Sequence, residues 1–74
     1  MSPEESLANA IVIRACDDYR KALKKLKRNP EHTDSLHTKF ECEEFFRSDW
    51  YEMLTSVDGE FLIKKLKKDV GYDD

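Results

Sequence analysis

At 74 residues the chain makes one domain, because a chain of this size buries only about 60% of the surface its unfolded form exposes and has none to spare for a second core. Apolar and charged residues each make up 39% and the net charge is −3, too charged for a membrane protein and too rich in aromatics for a disordered chain. No apolar run approaches the roughly 18 residues of a membrane span, and Met1-Ser2-Pro3-Glu4-Glu5 is acidic where a secretory signal is basic, so the expected location is the cytosol.

The chain opens on a helix start. The Ser2 hydroxyl can cap the Glu5 amide, the Glu5 side chain can return to the Ser2 amide, and Pro3 suits the first helical position. From there Ala8, Val12, Ala15, Tyr19, Ala22 and Leu26 alternate steps of four and three, the seam of a helix packed along its length, with Ile11, Cys16 and Leu23 widening it. Arg20, Lys21, Lys24, Lys25, Lys27 and Arg28 crowd its last turns, where cations offset the negative end of the dipole, and Asn29-Pro30 stops it.

After a turn, either Asn29 or Thr33 caps a second helix carrying Leu36, Phe40 and Phe46, with Cys42 and Phe45 beside them. Ser48 before Asp49 predicts a bend and the cap of a short third helix containing Trp50, Tyr51, Met53 and Leu54. Thr55-Ser56-Val57-Asp58-Gly59 interrupts the pattern. Asp58 caps a last helix in which Phe61, Leu62, Leu66 and Val70 recur, with Ile63 alongside, and Gly71 ends it before an acidic tail. The expected fold is all-α, a compact bundle of three to four helices at about 3–28, 33–47, 49–55 and 59–70, the first of them long.

The residues that carry chemistry do not converge. His32 and His37 are five apart, which separates them on a helix, and neither Cys16 nor Cys42 belongs to a close pair, so the thiols read as free and near the core. Ser56-Val57-Asp58-Gly59 looks like the middle of a calcium loop, but with Gly59 in the sixth place the first and twelfth ligand positions fall on Leu54 and Lys65. With glycine only at Gly59 and Gly71 there is no phosphate-binding loop. The expectation is no metal, no cofactor and no catalysis.

Charge is segregated. Ten of the thirteen Lys and Arg residues fall in 20–28 and 64–68, whereas 41–60 holds Glu41, Glu43, Glu44, Asp49, Glu52, Asp58 and Glu60 against Arg47 alone. Basic helix ends complement their dipoles, so this pattern has a structural reading. It also has two functional ones. In the first, Lys24, Lys25, Lys27, Arg28, Lys64, Lys65, Lys67 and Lys68 form a basic edge for nucleic acid. In the second, the acidic band with Arg47, Asp49, Trp50, Tyr51, Glu43, Glu44 and Glu52 docks on a basic protein surface. Phe45, Phe46, Trp50, Tyr51 and Phe61 are many rings for so small a domain, and each is open to a role as core or as interface anchor.

Through Phe45-Phe46-Arg47-Ser48-Asp49-Trp50-Tyr51, Leu54-Thr55 and Asp58-Gly59-Glu60-Phe61-Leu62-Ile63, the chain resembles short uncharacterised proteins of phages, prophages and mobile elements of Gram-positive bacteria. The likeness extends to Ala10-Ile11-Val12 and Asp18-Tyr19-Arg20-Lys21-Ala22. It implies the cytoplasm of a bacterial host and a partner among host proteins or protein–nucleic-acid complexes, as in anti-defence inhibitors of the anti-CRISPR kind. The alternatives are a DNA-binding or DNA-metabolism accessory protein using the basic helix ends, and a structural homodimer zipped along the first helix.

Overall fold

The computed structural model describes residues 3–73. Four helices follow one another: α1 (Pro3–Arg28), α2 (Thr33–Phe46), α3 (Asp49–Leu54) and α4 (Gly59–Val70), with no strand among the described residues. This is the expected all-α bundle with a long first helix. The capping box assigned to Ser2 and Glu5 lies outside the described residues. At ~1.5 Å per residue α1 is about 39 Å long, and the longest extent of the molecule is 40 Å against 20 and 19 Å across, so α1 sets the long axis. The other three helices all pack against it. Among the described residues no helix is long and apolar enough to cross a membrane.

Local chemistry explains the breaks. Ser48 Oγ donates to the Phe45 carbonyl at 2.6 Å and accepts from the Tyr51 amide at 3.2 Å, so one hydroxyl closes α2 and opens α3. Asp58 Oδ2 accepts from the Phe61 amide at 3.2 Å and caps α4. Gly71, at φ 70°, ends α4 with the paired bonds Gly71 N–H to Lys68 O and Tyr72 N–H to Lys67 O. The cap of α2 differs from both expected residues: His32 Nδ1 accepts the Ser35 amide at 3.2 Å, while Thr33 is already helical and Asn29 accepts from Glu31. A neutral imidazole has one acceptor nitrogen, and here it occupies the place of the usual Asn or Ser oxygen.

The core is a cluster of Cys16, Tyr19 and Leu23 from α1, Cys42 and Phe46 from α2, Tyr51 from α3, and Ile63 and Leu66 from α4. Tyr19 meets Phe46 edge to face at 5.6 Å, and Phe46 meets Tyr51 in the same way at 5.7 Å. The expected stripe of α1 is thus buried from Cys16 to Leu26, while Val12 and Ala15 are only partly covered. Tyr72 folds back onto the core instead of leaving with an acidic tail. α4 begins directly against the end of α2, where a Cβ on Gly59 would stand 2.0 Å from the Phe46 carbonyl oxygen, so only glycine permits the approach.

Two expected core rings lie outside. Phe40 and Phe61 are exposed, and the inner face of α2 carries Ser35, Cys42, Glu43 and Phe46 instead of the apolar stripe Leu36, Phe40 and Phe46. The reason is the roll of α2, whose inner face centres on Ser35, Cys42 and Phe46. Glu43, at the edge of that face, is held by donors on α1, α2 and α4, while Phe40 lies about 120° round the helix from Phe46 and about 160° from Cys42, and so faces solvent.

Candidate functional site

The bend at Ser48 sets the orientation of α3, and consecutive positions on a helix point about 100° apart. Tyr51 therefore enters the core at 1% exposure while Trp50 stays 54% exposed. The Trp50 ring stands edge-on to Phe45 at 5.3 Å, which holds it in place on the surface. Together they border a shallow groove of about 300 Å³, floored by Ile11 and Ala15 of α1 and by Cys42 and Phe45 of α2. Arg14, Asp18 and Glu41 form its charged rim. Met53, one turn along α3 from Trp50, is 84% exposed. Glu44, Asp49 and Glu52 are exposed on the same two helices. An aromatic anchor and an apolar floor thus coincide, with Asp18, Glu41 and Arg14 at the rim.

The other proposed anchors are used internally. Glu43 is buried, accepting from the Tyr19 hydroxyl at 2.6 Å and pairing with Lys39 at 3.0 Å and Lys67 at 3.9 Å. Burial pushes its carboxyl pKa up, but the hydrogen bonds from Tyr19 and Lys39 and the charges of Lys39 and Lys67 outweigh this and hold it below the ordinary value. Arg47 spans from α2 to α4, where its Nε and Nη2 donate to the two carboxylate oxygens of Glu60, the second at 3.4 Å. That bond, with the charge of Arg47, lowers the Glu60 pKa. Glu43 and Tyr51 therefore leave the candidate surface, because a buried side chain meets no partner, and Arg47 serves first as a clamp between α2 and α4.

The cysteines are free and buried. Desolvation, followed by the nearby carboxylates of Asp18 and Glu41, pushes the Cys42 thiol up to about 11, and desolvation also raises Cys16. Neither is primed as a nucleophile. Among the described residues no group of three or more His, Cys, Asp or Glu side chains is placed to hold a metal ion.

The basic ends of α1 and α4 come together, since Lys27 Nζ donates to the Val70 carbonyl at 2.7 Å. Several of the expected nucleic-acid cations are thereby engaged: Lys27 on that carbonyl, Lys67 on Glu43 and Lys65 near Asp69 at 3.9 Å. Lys24, Lys25, Arg28, Lys64 and Lys68 remain exposed.

Sequence reasoning found Trp50 but missed the groove floor. Ala15 belongs to the α1 seam and Ile11 widens it, and the position of Ile11 on the side of that seam towards Asp18 is the one signal that could have marked the floor. No family model matches the chain, and neither a curated protein nor a solved structure matches it.

Proposed function

We propose that the chain is a non-enzymatic, phage-type protein-binding module that seats the Trp50 groove on a basic surface of a host nucleic-acid-handling complex and obstructs it, as an anti-defence inhibitor does. The observation that carries this reading is Trp50, half-exposed yet braced by Phe45 at the mouth of an apolar groove. A braced tryptophan loses little side-chain freedom on binding, which is what makes such residues dominate interface energies. Asp18 and Glu41 on the groove rim, with Asp49 next to Trp50 in the chain, favour a cationic partner and speed encounter. The groove's apolar floor and the raised thiol pKa of Cys42 support binding over chemistry.

Capture of an identified host protein on the immobilised chain, compared with the Trp50→Ala and Phe61→Ala variants, tests the reading. Trp50→Ala should weaken the complex by roughly 30-fold or more, the scale of a hot-spot residue. Phe61, exposed on α4 and outside the groove, should be dispensable. A partner that binds Trp50→Ala as well as the parent overturns the proposal. A dimeric mass that becomes monomeric in Trp50→Ala reassigns the groove to a second copy of the chain.

A further inference from the structure

Two groups stand out among the cations of this chain, and Arg14, Lys64 and Lys68, also exposed, belong to neither. Arg20 pairs with Asp17, Lys39 and Lys67 with Glu43, Arg47 with Glu60 and Lys65 with Asp69, and Lys27 holds the Val70 carbonyl. Lys21, Lys24, Lys25 and Arg28 are different: all four are exposed, none has a carboxylate partner among the described residues, and together they line a shallow concavity of about 280 Å³ on α1. We propose that this face of α1 is a docking surface for the phosphate backbone of a nucleic-acid duplex, a surface separate from the Trp50 groove and independent of the reading given for it.

Helix geometry makes the arrangement costly without a ligand. Lys21 and Lys24, Lys21 and Lys25, Lys24 and Arg28, and Lys25 and Arg28 are neighbours three or four positions apart, so each pair repels. The helix dipole accounts for Lys25, Lys27 and Arg28 in the last turn but fades before it reaches Lys21 and Lys24. Asp18 and Asp34 border the flank that faces α2, alongside Lys21 and Lys25, which leaves Lys24 and Arg28 as the centre of positive potential.

The chemistry of the surface selects the ligand. No aromatic or apolar side chain lines the concavity, so it lacks the desolvated anchor that a protein interface needs and offers no platform for an unpaired base. What it offers is a row of cations about 10 Å long, matched to a polymer carrying one charge per about 1.7 Å of duplex axis. The acidic half offsets only one side of it. Asp18, on the rim of the Trp50 groove, reaches the flank of Lys21 and Lys25, but along α1 it stands about 9 Å from Lys24 and about 15 Å from Arg28, against a screening length of about 10 Å at 0.1 M salt.

Fluorescence anisotropy of a labelled mixed-sequence duplex of about 20 base pairs, titrated with the intact chain, tests this. Binding at about 50 mM salt should weaken with a log–log salt slope near −3.5, the value for four neutralised phosphates. Lys24→Gln with Arg28→Gln should cut that slope by about 2 while the melting temperature holds or rises. The charge-keeping pair Lys24→Arg with Arg28→Lys, and Trp50→Ala, should bind like the parent. No binding at low salt overturns the proposal, as does a slope untouched by the Gln substitutions. Competition by polyglutamate as effective as by unlabelled duplex also overturns it, in favour of an acidic protein partner.

Discussion

Around Tyr19 the core is closed and its polar atoms are matched: the Tyr19 hydroxyl meets Glu43, which meets Lys39 and Lys67, while Phe40, under the Lys39 ammonium, stays exposed. Around Trp50, where α3 crosses the first half of α1, the arrangement is the opposite. Trp50 and Met53 are exposed, and the buried Tyr51 hydroxyl has no hydrogen-bond partner. Both halves contain an inward-pointing tyrosine on a helix, but only one provides a partner for its oxygen. A domain of this size has surface enough for one well-closed core. The half that closes it supplies stability, and the half left open carries the apolar surface on which the proposed recognition rests.

The contrast can be broken by substitution, and the largest expected effect is in the closed half. Leu23→Ala, which empties a fully buried position, should cost about 2–5 kcal/mol in denaturant unfolding, whereas Met53→Ala should stay within about 0.5 kcal/mol. Equal losses would abolish the distinction. Next, Tyr19→Phe removes a hydrogen bond to a buried carboxylate and should lower stability by about 1.5–3 kcal/mol.

Acid probes the same half without mutation. The native pKa of Glu43 lies below its ordinary value of 4.5, so its contribution is fully present above that value and is lost as the pH falls from it towards the native pKa. Thermal melts should therefore be flat near neutrality and decline in that acidic window, and Glu43→Gln should flatten the decline. The smallest effect belongs to the open half. Tyr51→Phe deletes a buried hydroxyl that bonds to nothing, and should leave stability unchanged or raise it by up to about 1 kcal/mol. Comparing the two Tyr→Phe variants under one set of conditions gives the sharpest form of the test, because the chemical change is identical and only the partner differs.

Some features were legible in the chain because they depend on neighbours within a few positions. The Ser48 and Asp58 caps and the Gly71 stop each bond to a backbone group no more than three or four residues away, and they lie where turn chemistry places them. His32 escaped notice because imidazole is an uncommon capping group, although its bond to Ser35 is just as local. Phe40 was misassigned for a different reason. Phe40 and Phe46 are about 120° apart on a helix, so only one of them can sit at the centre of the inner face, and the contacts of Phe46 with Tyr19 and Tyr51 on other helices select it.

The candidate surface divides in the same way. Sequence marked Trp50 and the acidic residues beside it, but Tyr51 and Trp50 are equally plausible anchors until the roll of α3 on Phe45 and Phe46 sends one ring inward. It marked the basic helix ends as well, without distinguishing Lys27 and Lys67, bound within the fold, from Lys24 and Arg28, which are free to meet a ligand. The sequence by itself determined an all-α bundle of three to four helices, their order and most of their ends, the cap of α2 excepted, because helix propensity and capping act over one turn. The tertiary structure alone decided which carboxylate is buried, which ring is exposed and which lysines stay unpaired. Those outcomes depend on groups from separate helices reaching the same few ångströms, where desolvation and Coulomb attraction are decided together.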